Sequence, residues 1–180
     1  MPSVRTFASD ELSPAQVDGL RGLLALAWRD DPDPFTDDDW HSAVGGVHFV
    51  SEEDGTVVAH ASVVERELHA GDHRLGTGYV EAVATLPAYR RRGHATELMR
   101  AVGEHIDRTF ELGALDTGTK GFYERLGWVV WTGPTYVRTD SGLVLTPEED
   151  GSVLVRPTPR SPQLDLSSPI SCDWRPGDAW

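Results

Sequence analysis

Residues 79–106 run Tyr79-Val80-Glu81-Ala82-Val83-Ala84-Thr85-Leu86-Pro87-Ala88-Tyr89-Arg90-Arg91-Arg92-Gly93-His94-Ala95-Thr96-Glu97-Leu98-Met99-Arg100-Ala101-Val102-Gly103-Glu104-His105-Ile106. The apolar run to Leu86 reads as a strand that Pro87 stops. From Ala95 the period turns helical, with Leu98, Met99, Val102 and Ile106 on one face. Between them, three arginines precede a helix start. The first turn of a helix carries N–H groups without partners and a partial positive charge, so it binds anions. The N–H groups of Arg91 to Ala95 are expected to point outward, with Gly93 and Ala95 keeping the backbone approachable. Arg90, Arg91 and Arg92 add charge-assisted contacts. Cations here oppose the helix dipole, and an anion between them relieves the opposition. Without an anion, the same residues are a solvated arginine cluster.

Outward from this junction, the chain reads as alternating helix and strand signals. Ser13-Pro14-Ala15-Gln16 opens a helix: Ser13 caps, Pro14 fits the first turn and Gln16 completes a capping box. Thr36-Asp37-Asp38-Asp39 opens a second, ended by Gly45-Gly46. Strands are expected over 47–51, 56–67 and about 73–86, joined by turns at Glu53-Asp54-Gly55 and Ala70-Gly71-Asp72. Gly76 and Gly78 suggest a bulge or a close backbone approach. A short strand over 112–115, a short helix over 119–126 closed by Gly127, and strands over 128–131 and 152–156 follow. Residues 140–151 read as a polar loop. The segment after Pro157 is rich in Pro and Ser but carries Trp174 and Trp180, so it is expected to be docked. The pattern is α+β, in one domain over 1–180 with a docked tail from about 157 to 180.

The chain has 180 residues and 39% hydrophobic content, enough for a packed core. No apolar run approaches the roughly 20 residues of a membrane span, and Met1-Pro2-Ser3-Val4-Arg5 lacks a signal-peptide pattern. A cytoplasmic location is expected, with no membrane partner. A lone cysteine, Cys172, excludes an intrachain disulfide framework. The formal net charge of −13 repels nucleic acid and attracts cations. Lys120 is the sole lysine, which reads as genomic bias rather than function.

Arg90-x-x-Gly93-x-Ala95 resembles the pyrophosphate loop of the GNAT (GCN5-related N-acetyltransferase) superfamily, and Val83 to Tyr89 resembles the strand before it. Phe122-Tyr123-Glu124-Arg125-Leu126-Gly127-Trp128 is similar to that family's second motif. The resemblance implies a mixed central sheet splayed at an acetyl-CoA site and flanked by helices. It narrows at Phe35-Thr36-x-x-Asp39-Trp40, His60-Ala61, Gly78 to Glu81, and Cys172-Asp173-Trp174-Arg175-x-Gly177-Asp178-x-Trp180. These stretches resemble the aminoglycoside 2'-N-acetyltransferases of mycobacteria and their relatives.

The implied reaction is attack of a neutral amine on a thioester, which needs one base and one acid. Glu81 is the candidate base: a strand carboxylate beside Val80, Ala82 and Val83 is partly desolvated, and the resemblance suggests that it works through water. Otherwise it is a strand glutamate facing solvent. Tyr123 is the candidate acid, placed by the resemblance near the CoA sulfur; otherwise it is a core aromatic beside Phe122. The resemblance further implies that Val83 and Thr85 hydrogen-bond pantetheine through their backbone, and that Arg90, Arg91, Arg92, Gly93, His94 and Ala95 hold the pyrophosphate. A polycationic acceptor calls for several carboxylates; matching positions are Asp39, Glu81, Glu149 and Asp178, with Trp40 and Trp180 against sugar faces. The terminal carboxylate of Trp180 is a further candidate ligand for an ammonium.

Three features depart from the family pattern. Pro34 precedes Phe35 where relatives carry an aspartate, Glu149 replaces an aspartate, and the segment from Asp116 to Lys120 is short. Each bears on substrate preference, so another polyamine or amino sugar stays open as the acceptor, as does binding without turnover. The seven histidines form no recognised metal spacing, and no metal is expected. A homodimer is implied by the resemblance alone.

Overall fold

The computed structural model describes residues 3–180. The chain falls into two compact units, each built from separate stretches: Met1–Val64 with Val80–Val102, and Glu65–Tyr79 with Gly103–Trp180.

In the first unit, β1 (Ser3–Ala8) pairs antiparallel with β2 (Val47–Glu53), Ser3 opposite Glu52 and Ala8 opposite Val47. β2 pairs antiparallel with the first part of β3 (Thr56–Ala70), with a register shift at Ser51/Glu52. The hairpin turn puts Asp54 and Gly55 at positive φ, 50° and 77°. Helix α1 (Pro14–Ala27) starts as its sequence requires: the Gln16 N–H donates to Ser13 Oγ, and Gln16 Oε1 accepts from the Ser13 N–H. Helix α2 (Asp37–Ala43) repeats the device with Thr36 and Asp39. Leu20, Leu23 and Leu24 of α1 pack with Trp40, Val50 and Ala84 into one buried cluster. The last part of β4 (His73–Thr85) and the first turns of α3 (His94–Thr109) complete the unit.

In the second unit the strand order is β6-β9-β5-β4-β3-β10-β7-β8. β5 (Leu112–Asp116) lies parallel to β4, Thr77 opposite Leu112 and Tyr79 opposite Ala114. A parallel pair needs a crossover, and α3 supplies it. β9 (Val153–Pro157) runs antiparallel to β5 and to β6 (Val129–Val130). β10 (Ile170–Asp173) runs parallel to β7 (Thr135–Thr139) and antiparallel to β3; β8 (Gly142–Leu145) is the antiparallel edge beside β7. The sheet is mixed and the class α+β, as expected. Gly78 permits a close approach: a Cβ there would lie 2.6 Å from Phe110 and 3.0 Å from Ile106. Among the described residues, no helix is long and apolar enough to cross a membrane.

The structure differs from the sequence reading at its weakest strands. β8 lies inside the expected polar loop, and the expected helix over 119–126 shrinks to α4 (Lys120–Glu124). β1, β7 and β10 are strands beyond those expected. Each is short or polar and is held by its neighbours rather than by its own periodicity.

Gly133 sits where residues 131–133 meet the C-terminal segment. The Thr132 and Gly133 N–H groups both donate to the Leu166 carbonyl at 2.9 Å, and a Cβ on Gly133 would stand 1.9 Å from the Ser168 carbonyl oxygen. A Cβ on Gly19, exposed inside α1, would meet nothing within 4 Å. Gly133→Ala is therefore expected to destabilise by more than about 2 kcal/mol, and Gly19→Ala to stabilise by up to about 1 kcal/mol. Denaturant unfolding of both variants checks the contrast.

Candidate active site

The first unit carries the strand–turn–helix junction. After a single helical turn over Pro87–Tyr89, residues 90–93 form a tight turn with Arg91 at φ 61° and Gly93 at φ 90°. The first helical bond of α3 runs from the Glu97 N–H to the Gly93 carbonyl, so the N–H groups of His94, Ala95 and Thr96 have no acceptor within the helix. The helix starts at His94, one residue before Ala95, from which the sequence reads as helical.

The arginine side chains are tied more closely than the sequence suggests. Arg90 donates to the carbonyls of Thr85 (3.2 Å) and Ala27 (3.0 Å). Arg92 pairs with Glu53 at 2.9 Å and lies over the Tyr89 ring at 5.1 Å. Arg91 is exposed in the turn. The His94 side chain is turned inward, 2% exposed: its Nε2–H donates to Glu53 Oε2 (2.7 Å), and its Nδ1 then accepts from Ser51 Oγ (2.8 Å). That hydrogen bond, with Arg92, holds the Glu53 carboxyl below its usual range. The His94 side chain is thus committed to the interior, while its backbone N–H is left without an acceptor in the helix.

Within β4, Glu81, Val83 and Thr85 are half-buried. Ala82 between them adopts φ 50°, a left-handed conformation unusual for a non-glycine strand residue. Asp39 serves α2 directly: its Oδ2 accepts from the Thr36 N–H and Oγ1, both at 2.7 Å. The Trp40 ring is buried against His48, with centroids 5.9 Å apart.

The second unit carries Tyr123, Glu149, Asp178 and Trp180. Tyr123, in α4, is 7% exposed and meets Phe122 and Trp128 edge-on at 4.9 and 6.4 Å. Burial pushes its hydroxyl up to about 12, so it stays protonated at neutral pH. Trp180 is 4% exposed; its Nε1–H donates to Thr146 Oγ1 (3.2 Å) and its backbone N–H to Asp178 Oδ1 (3.1 Å). Neither tryptophan ring presents an open face.

Glu149 closes a single helical turn over Pro147–Glu149. Desolvation, then the charges of Asp116 and Asp178, push its carboxyl up to about 7; the hydrogen bond from Ser152 Oγ (3.2 Å) works the other way. Asp116 closes β5, and its Oδ1 is buried without a hydrogen-bond partner. The sequence reading marks the short segment beginning at Asp116 but gives that carboxylate no role. The signal is present: an acid ends an otherwise buried apolar strand.

Residues 9–131 match the family model described as an acetyltransferase (GNAT) domain. The chain belongs to the GNAT acetyltransferase family. It is 38% identical to an aminoglycoside 2'-N-acetyltransferase of Mycolicibacterium fortuitum, covering 99% of this chain and 92% of that protein. A GNAT family acetyltransferase from Brucella melitensis, solved with acetyl-CoA, superposes with a TM-score of 0.60 over 91% of this chain and 94% of that one, at 18% identity. A GCN5-related N-acetyltransferase from Kribbella flavida matches with a TM-score of 0.57 and 24% identity, over 74% of this chain but 34% of that one. This GNAT chain thus spans about a third of the Kribbella protein and nearly all of the other two. It is an acetyltransferase, and the family uses acetyl-CoA.

The elevated Glu149 carboxyl leaves a thermodynamic trace in this acetyltransferase. The folded chain holds a proton there that the unfolded chain, with the ordinary value of 4.5, releases between that pH and about 7. Its contribution to stability is full at low pH and is lost as pH rises through that window. The stability of the parent relative to Glu149→Gln is expected to fall between about pH 5 and pH 8, measured by denaturant unfolding. A constant difference across the window would contradict the assigned cause.

Proposed function

We propose that the chain transfers the acetyl group of acetyl-CoA to an amino group of an aminoglycoside, at the 2' position. The observation that carries this is the near end-to-end match to the M. fortuitum enzyme, whose name states that activity. The charge pattern supports it. After desolvation, the charges of Asp116 and Asp178 raise the affinity of Glu149 for a proton. A polyammonium acceptor brings positive charge to these carboxylates and a donor for the buried Asp116 Oδ1.

On this reading the first turn of α3 and the Arg90–Ala95 turn hold the pyrophosphate through backbone N–H groups, with Arg91 as an exposed cation. The backbone of Val83 and Thr85 hydrogen-bonds the pantetheine. Glu81 accepts a proton from the substrate ammonium through water. The freed amine attacks the thioester carbonyl carbon, the C–S bond breaks, the sulfur takes a proton from Tyr123, and the surplus proton on the new amide nitrogen leaves through water and restores the phenol. A phenol raised to about 12 is a weak acid. It suffices because the burial that raises it also raises a thiol's affinity for a proton, as it does for the buried Cys172, pushed up to about 11. The exposed apolar edge Leu143, Val144 and Leu145 of β8 supports a homodimer in solution.

Pro34 before Phe35, Glu149 in place of an aspartate and the short segment from Asp116 to Lys120 favour, as a second reading, a different polyamine or amino sugar as acceptor. A thiol-release assay with acetyl-CoA over a panel of aminoglycosides and other polyamines separates the two. Release with gentamicin or tobramycin is expected. Release only with other amines would move the acceptor, and no release with any would leave binding without turnover. Tyr123→Phe is expected to lower kcat about a hundredfold with acetyl-CoA binding nearly intact; unchanged kcat would remove Tyr123 from its role.

A further inference from the structure

Two buried histidines remain outside the roles assigned above. His48 and His60 sit diagonally across β2 and β3, where Val50 is opposite His60 and His48 opposite Ser62, so their side chains share one sheet face. Both are 0% exposed. Their rings lie 5.2 Å apart, and Trp40 stacks on His48 at 5.9 Å.

The hydrogen bonds among them run in one direction. The Ala82 carbonyl can only accept, so His60 Nδ1 carries the proton and donates to it at 2.8 Å. His60 Nε2 must then accept, from His48 Nδ1–H at 2.9 Å. His48 Nε2 accepts in turn from the Ser9 hydroxyl at 2.8 Å. Ser9 Oγ accepts the Gly45 N–H at 2.9 Å, which closes the chain. Both rings are neutral in this arrangement. Burial favours that form, pushing His48 down to about 4 and His60 to about 3.

The residue that receives this relay is itself unusual. Ala82 follows Glu81 and holds φ 50°, a conformation that costs an alanine roughly 1–2 kcal/mol and persists only where its surroundings fix it. The His60 donor grips the carbonyl of that same residue. A left-handed residue breaks the alternation of a strand, so it sets which way the neighbouring side chains leave β4.

We propose that His60, oriented by His48 and Ser9, is a positioning residue that fixes the left-handed Ala82 and thereby the direction of the Glu81 carboxylate. This inference rests on the proposed role of Glu81 as base. It assigns no proton transfer to the histidines: the relay is a brace whose own tautomers are determined from end to end.

The test is a double-mutant cycle on kcat. His60→Ala removes the donor and is expected to lower kcat about tenfold or more, with the KM for acetyl-CoA little changed. His60→Asn keeps an N–H near the Nδ1 position and is expected to recover most of that loss, while thermal unfolding reports whether each variant is folded. In a Glu81→Gln background, His60→Ala should lower kcat no further, because the group it orients is gone. An additive loss there would overturn the positioning role and leave the base intact. If Glu81→Gln itself keeps full kcat, the base assignment fails, and the positioning proposal with it. If His60→Asn is as impaired as His60→Ala while folded, the Nδ1 hydrogen bond is not what matters, and the proposal is overturned.

Discussion

The buried His94 imidazole, held between Ser51 and Glu53, fixes the start of α3 within the first unit. Everything the junction does chemically follows from that anchor. A helix start is an anion site only if its first N–H groups stay uncovered and in place. Gly93 at positive φ turns the chain into the helix, and the inward His94 ring keeps the side chain out of the way of its own backbone N–H. The same Glu53 that receives His94 also receives Arg92, so the carboxylate restrains the turn from both sides. Backbone donors, rather than a cluster of free guanidinium groups, are therefore the main feature of this site.

Charge is distributed with a comparable economy. The chain as a whole is strongly acidic, yet its arginines in 90–92 gather at a helix start, where the dipole is already positive. Arg90 and Arg92 are engaged by protein acceptors while Arg91 is not held in this way, and all three remain exposed. In the second unit, burial first and the charges of Asp116 and Asp178 after it push the Glu149 carboxyl up to about 7. A group poised in this way answers to any cation that enters, because bound positive charge draws its proton off.

Much of this is legible from the sequence because it is local. The caps at Ser13 and Thr36 each need only a partner three residues away, and both form as their spacing requires. The strand–turn–helix junction likewise depends on contiguous residues. What stays hidden depends on distant partners. β10 becomes a strand because β7 and β3 flank it, not because Ile170–Asp173 alternates. Arg90 reaches Ala27 and His94 reaches Ser51 across dozens of residues. By type and place in the chain, Trp40 and Trp180 suggest sugar platforms; folded, both rings are packed against protein. Asp116 leaves a local signal, an acid at the end of an apolar strand, but its effect on Glu149 depends on a residue far along the chain.

The most direct measurement compares the binding of acetyl-CoA with that of acetylated pantetheine, which lacks the nucleotide and pyrophosphate, by titration calorimetry at fixed ionic strength. If the start of α3 holds the pyrophosphate through charge-assisted bonds, acetyl-CoA binds about a hundredfold tighter or more. Equal affinities would mean that the turn over residues 90–95 grips no phosphate, and the central electrostatic claim would be wrong.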